Sequence, residues 1–363
     1  MTGFKTFSAN VRRRLLVASG ALVLLAALVY GLTLADYVFP GESARLVTQW
    51  TGMDALEFPE HPIWGRLVSL MAGLSFTAST ALRINLISFV SGLLATGLIC
   101  WLTAWFVHQT VRQDDVLKLS GGAALLAGIS AALVFIFSTA VWQASTHLDY
   151  HIFDVAFALA VFALLPLASR TPAWLWILLT IVIGFAAGAG LAESVIFVSL
   201  VPLLLLSLVV LCVKGGRNYY GTSVLFLVFA VIGFLVVSNW AAKGFLELPT
   251  TAATDYKTVG DVLDEVGRRY THELRQWFSR PGWLFVFLLA TLPFLACAFA
   301  SVRGLNNERT WSQYLFHTAM TLCCILAVAT PLSPAALLQP LDIMPVATTT
   351  LSVIVCGYLF AYW

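Results

Sequence analysis

The chain has 363 residues, 60% of them apolar and 10% charged, with a mean hydropathy of +0.89. Those values exclude an ordinary soluble globular domain and point to an all-α, polytopic membrane protein. The net charge of +2 gives no reason to expect a nucleic-acid partner, and what matters in a membrane is which side each charge occupies.

A span needs about 20 apolar residues to cross the hydrocarbon core. Taken in chain order, runs of that kind fall at 14–35, 83–107, 120–141, 152–168, 173–190, 194–213, 221–242, 283–302, 313–331 and 342–362. They make about ten spans in one integral membrane domain, 1–363. The basic residues before the first run precede an apolar stretch too long for a signal-peptide core, so it is expected to remain as an uncleaved span. The last span reaches Trp363 without a polar tail, which leaves open that the chain is a fragment truncated at its C-terminus. "WGRLVSLMAGLSF", 64–76, is short and reads as a re-entrant or interfacial helix.

Threading the ten spans with a cytoplasmic N-terminus puts Lys5, Arg12, Arg13, Arg14, Arg112, Lys118, Arg170, Lys214, Arg217, Arg303 and Arg309 inside, with only Asp114, Asp115 and Glu308 among the acids. That distribution follows the positive-inside rule. A spanning 64–76 would invert every later loop and destroy it. Two long outer loops result, 36–82 and 243–282. The second contains "VGDVLDEVGRRYTHELRQWF", in which Val259, Val262, Val266, Tyr270, Leu274 and Trp277 recur at helical spacing. An amphipathic helix on the membrane surface or over a cavity fits that pattern.

Cys100, Cys212, Cys297, Cys323, Cys324 and Cys356 all lie in apolar runs without metal-ligand spacing, and read as small core residues. Gly184, Gly188 and Gly190 lack the lysine and strand of a P-loop and read as sites of close helix packing. There is no internal repeat and no soluble enzyme domain, so any chemistry must be built between spans and outer loops.

Transfer of a group to a hydroxyl needs a carboxylate to take the proton and cations to hold a departing phosphate. Glu42, Arg45, His61, Arg66 and Arg83 bring both to the first outer loop. Glu42 is the candidate general base and Asp36, about one and a half turns earlier, the alternative. An interfacial or capping acid paired to Arg45 is the plain structural role for Glu42, and snorkelling to headgroups the plain role for Arg66 and Arg83. In "HLDYHIFD", His147, His151 and Asp154 fall at i, i+4 and i+7, a stripe that could hold a divalent metal ion, against the reading of an ordinary interfacial belt with Trp142 and Tyr150. Glu193, at the outer end of an apolar segment, is expensive to bury and so faces protein or water. It is either a substrate-binding group or an acid at the span junction.

The order of motifs "DYVFPGESARL", "EFPEHPIWGRL", "LRINLISFVSGLLA" and "VWQASTHLDYH" resembles the bacterial protein O-mannosyltransferase-like membrane family of the GT-C glycosyltransferase superfamily. That family carries a Gly-Asp-Ser-Gly-Glu-like stretch after its first span, then His-Pro-Pro-Gly, Arg-Val-Asn-Leu, and a Trp followed seven residues later by Glu. The matching positions are Gly41, Glu42 and Ser43, then His61 and Pro62, Arg83 and Asn85, and Trp142 and Asp149. Glu42 stands for the usual Asp, and Arg45 for the usual second acid.

The resemblance implies a GT-C-like fold and transfer of a mannose-like sugar from a polyprenyl-phosphate donor to a protein or glycolipid acceptor, on the non-cytoplasmic face of the bacterial inner membrane. It also implies that Asn85 and Asp149 line the substrate cavity; Arg45, His61, Arg66 and Arg83, by their chemistry, and Glu193 are the further substrate-binding candidates. A transporter or flippase of lipid-linked sugars, and a non-catalytic subunit of envelope glycan assembly, stay open beside it.

Overall fold

The computed structural model describes residues 9–38, 42–54, 60–74, 79–110, 120–168, 172–194, 197–215, 217–246 and 258–279. The expected spans at 283–302, 313–331 and 342–362 lie outside them. The regular elements among the described residues are all α-helices: α1 (Ala9–Leu32), α2 (Glu42–Trp50), α3 (Pro62–Gly73), α4 (Thr80–Thr110), α5 (Ser120–Phe137), α6 (Thr139–Thr146), α7 (Tyr150–Ala168), α8 (Ala173–Glu193), α9 (Phe197–Gly215), α10 (Tyr219–Leu246) and α11 (Val259–Ser279).

Five of them, α1, α4, α7, α8 and α10, are long and apolar enough to cross a membrane, or six if α5 and α6 count as one bent span. Leu24, Leu28, Val90, Ile177, Val224, Val231 and Leu235 project from these helices uncovered by protein. A face of that kind is unfavourable against water and suits lipid tails. α9 occupies the run expected at 194–213. Instead of one straight span at 120–141, the chain bends by 65° between α5 and α6, where Ser138 is extended. Breaking a helix frees carbonyls from its ladder. One of them, on Ile136, accepts a hydrogen bond from the Tyr30 hydroxyl at 3.3 Å, and the Trp142 indole donates to Thr33 Oγ1 at 3.0 Å, which ties α6 to the end of α1.

α8 and α10 are in backbone contact. A Cβ at Gly188 would strike the Ala230 carbonyl, one at Gly184 the Phe226 carbonyl at 2.6 Å, and one at Gly233 the carbonyl of Phe185. Small residues are what allow such an approach, and dispersion then replaces the hydrophobic drive that is missing between helices in lipid. A second apolar cluster joins α1, α4 and α5 through Leu15, Leu22, Ala26, Cys100, Ala104 and Ala127.

At one end of the bundle lies a layer of shorter helices. α3 has 12 residues, about 18 Å, too short to cross and consistent with its reading as an interfacial or re-entrant piece. It starts at Pro62, a favoured first residue because the missing N–H would have no partner there. Trp50 of α2, Trp64 and Val68 of α3, Ile84 of α4, Tyr150 of α7, Phe245 of α10 and Val262 of α11 form one cluster. The amphipathic helix expected in the second outer loop is therefore α11, and its Val259, Val262 and Val266 pack onto this layer rather than standing free.

Candidate functional site

The layer exists because α3 lays its N-terminus across the ends of α7 and α8. His61, just before Pro62, has φ 47° and ψ 60°, the one non-glycine positive φ among the described residues. That left-handed geometry is uncommon for a residue with a Cβ, though His tolerates it better than most. The turn leaves the first α3 amides pointing at the last residue of α8. Glu193 accepts from Ile63 N–H at 2.6 Å and Trp64 N–H at 3.0 Å, partners 130 and 129 residues away. A carboxylate there satisfies two orphan donors and meets the positive end of the helix dipole. Glu193 is 3% exposed: it faces protein, as the expense of burying an acid requires, and joins two elements.

His61 also enters a stack of three rings. Its imidazole lies 4.0 Å from the Tyr150 ring, which lies 4.0 Å from the His151 ring, and Trp64 meets Tyr150 edge-on at 5.9 Å. Burial, with His151 close by, lowers the His61 imidazole from its usual value of 6.5 to about 3, so the ring is neutral at ordinary pH.

Beneath His61, one turn into α7, is Asp154. It is 0% exposed, and neither carboxylate oxygen accepts a hydrogen bond from any described residue; Ser194 is near but outside hydrogen-bond geometry. Asp154 Oδ2 is 3.7 Å, and Glu193 Oε1 4.0 Å, from His61 Nδ1. One donor atom from each of His61, Asp154 and Glu193 can be chosen so that all lie within 4.8 Å of one another.

The stripe expected of His147, His151 and Asp154 does not form. His147 is the extended residue that ends α6, with Nδ1 3.2 Å from Thr146 Oγ1 and Gln143 O, and α7 begins only at Tyr150. Helical spacing has no meaning across that break. His151 turns instead to Asp149, whose Oδ1 receives its backbone N–H at 2.7 Å and lies 2.6 Å from its Nδ1. Asp149 thereby caps α7. Ser88 fixes the same residue through both backbone groups, at 2.8 and 3.0 Å.

The remaining candidates spread around this centre. Asn85 is fully buried and its Nδ2 donates to the carbonyls of Ala35 and Tyr37 at 2.7 and 3.0 Å. Its amide therefore clasps the strand of chain that carries the exposed Asp36. Arg83 donates from Nη2 to Thr80 Oγ1 at 2.8 Å, and its buried Nε has no hydrogen-bond partner among the described residues. Arg66 lies 5.4 Å over the Trp240 ring and against Gly244, held by protein rather than trailing into headgroups. Arg45 reaches Glu60 at 3.1 Å, and Glu60 also binds Arg269 of α11. Glu42 opens α2; its side chain lies outside the described residues.

Two features went unread in the sequence. Tyr150 passed as an interfacial aromatic, whereas it is the middle ring of the stack. Glu60 drew no attention, although it bridges arginines of α2 and α11; an acid next to a candidate histidine was the available signal.

No curated protein and no solved structure matches the chain. Residues 59–214 match the family described as Protein O-mannosyl-transferase TMEM260 N-terminal domain. The matched stretch contains His61, Arg66, Arg83, Asn85, Asp149, Asp154 and Glu193 and begins after Asp36 and Glu42, so that over the elements which assemble this site the chain is similar to a protein O-mannosyltransferase domain.

Proposed function

We propose that the chain is a membrane glycosyltransferase, of GT-C type, that moves a mannose-like sugar from a polyprenyl-phosphate carrier to a hydroxyl of a protein or glycolipid acceptor. The face at which it works is the non-cytoplasmic side of a bacterial inner membrane, with the N-terminus in the cytoplasm. The match of residues 59–214 to an O-mannosyltransferase domain carries this reading. The concentration of buried polar residues where α3 crosses α7 and α8 supports it.

In this scheme the acceptor oxygen bonds to the anomeric carbon, the bond from that carbon to phosphate oxygen breaks, and the electron pair leaves with the carrier phosphate. Glu42 takes the hydroxyl proton, and Asp36, held in place by Asn85 through its neighbours, is the alternative base. Arg66 and Arg83 hold the phosphate; Arg83 Nε, buried and unpaired among the described residues, has a donor to give. In this reading Asp149, held by Ser88 through both backbone groups, lines the substrate cavity.

The test is transfer of radiolabelled mannose from polyprenyl phosphate by membranes at matched expression. Removing a general base costs about 10² to 10⁴ in rate, so Glu42→Gln should lose detectable transfer while Asp36→Asn keeps it. The reverse result moves the base to Asp36. Carrier binding by the parent protein without transfer of any sugar would turn the reading towards a transporter or a non-catalytic subunit.

A further inference from the structure

Asp154 presents a problem that its neighbours do not solve. A buried carboxyl is normally hydrogen-bonded, paired, or bound to a metal, because stripping it of water without compensation is expensive. Asp154 has no accessible surface and neither oxygen is in hydrogen-bond geometry with a donor among the described residues, although the Ser194 hydroxyl is near. Glu193, buried beside it, is no source of relief: it is a second acid, and the donors it has attracted are the backbone amides of Ile63 and Trp64. The group facing both acids is His61 Nδ1, which is itself buried without a hydrogen-bond partner.

The distances fit a shared ion better than direct bonding. At 3.7 and 4.0 Å, His61 Nδ1 is beyond hydrogen-bond reach of Asp154 and Glu193. Metal bonds of about 2.0 to 2.2 Å place adjacent tetrahedral ligands about 3.3 to 3.6 Å apart, so shifts of a few tenths of an ångström would bring His61 Nδ1 to ligand spacing from each acid, within a set whose donor atoms all lie within 4.8 Å of one another.

We propose that His61 Nδ1, Asp154 and Glu193 bind a divalent transition-metal ion at the junction of α3, α7 and α8. One imidazole and two carboxylates suit Zn²⁺ or Mn²⁺ better than a thiolate-seeking ion. The amides of Ile63 and Trp64 orient the Glu193 ligand, as outer-shell donors do in metal sites generally. Three protein ligands leave at least one coordination position for an oxygen from outside the chain. The His61 side chain, 17% exposed against 0% for both acids, marks the side from which that oxygen would come.

The site stands on its own geometry and not on the sugar-transfer reading. The full chain, purified in detergent without a histidine tag and stripped with a chelator, is incubated separately with Zn²⁺ and Mn²⁺, desalted, and its metal content measured by mass spectrometry. About one ion per chain is expected for at least one of the two metals, with a matching rise in thermal midpoint, since binding to the folded form stabilises it.

His61→Gly removes a ligand while suiting the left-handed backbone, and Asp154→Asn keeps the shape of the other. Both should reduce occupancy at least about tenfold while the chain still elutes as a folded species, and Glu265→Gln, an acid of α11 outside the set, should leave it unchanged. No bound ion with either metal, or equal occupancy in both ligand variants and the parent, overturns the proposal. Metal bound by a chain that transfers no sugar would defeat the transfer reading alone, whereas transfer by a chain that takes up neither ion would defeat the metal site alone.

Discussion

The contact between α8 and α10 and the layer formed by α2, α3 and α11 are built on opposite principles. In the first, Gly184, Gly188 and Gly233 let two backbones touch, with a hydrogen bond from the Trp176 indole to Thr222 Oγ1 beside that contact. In the second, side chains carry the structure. Glu193 caps α3, Asp149 caps α7, and Glu60 bridges Arg45 and Arg269. Asp154 and Arg83 Nε remain unsatisfied among the described residues. Close packing needs no chemistry, whereas orphaned polar groups cost stability that a ligand can restore. The same helix, α8, serves both ends: its glycines fix it against α10, and that fixed position is what aims Glu193.

Substitutions can break this contrast. The largest stability effect is expected at Trp64, which is fully buried at the centre of the layer. Trp64→Ala should cost about 3 to 5 kcal/mol, read as a large fall in thermal midpoint in detergent; a loss below about 1 kcal/mol would mean the layer is not a packed core.

Gly188→Ala comes next. Its new methyl would meet the Ala230 carbonyl, backbone that cannot swing aside, so α8 and α10 must part at a cost of about 1 to 3 kcal/mol. The midpoint should fall, and a neutral result would show that the two helices are less tightly joined than their glycines indicate.

pH separates the two regions more finely. His61 titrates near 6.5 when unfolded and about 3 when folded. Below about pH 6.5 the unfolded chain therefore takes up a proton that the folded chain refuses, and stability falls as pH drops towards 3. The slope approaches at most about 1.4 kcal/mol per pH unit. Between pH 7 and 5 the midpoint of the metal-free parent should fall relative to that of metal-free His61→Gly; parallel curves would remove His61 as the source.

The smallest effect is at the rim. Arg269 and Glu60 are both solvent-accessible, and such pairs contribute about 0 to 1 kcal/mol. Arg269→Ala should leave the midpoint nearly unchanged and increase proteolysis within α11, which it pins to the segment before α3. A loss comparable to that of Trp64→Ala would show that the ionic bridge, not the apolar face of α11, holds the layer.

Apolar run length, set by the thickness of a bilayer, made α1, α4, α7, α8 and α10 legible in the sequence, and the 3.6-residue recurrence of Val259, Val262 and Val266 did the same for α11. Both are local properties, readable without knowing what packs where. The shortness of the apolar stretch around Trp64 likewise announced that α3 does not cross. His61, Asp154 and Glu193 were each singled out, yet nothing local joined them. Glu193 reaches α3 over a separation of 130 residues, and the spacing that seemed to link His147 to Asp154 was cut by the break before Tyr150. Pattern along a chain reports which face of one helix is apolar. Which polar groups meet at the ends of different helices depends on where those helices stop and at what angle they cross. Here that was decided by the left-handed turn at His61, the bend at Ser138 and the glycine contact that sets α8 against α10.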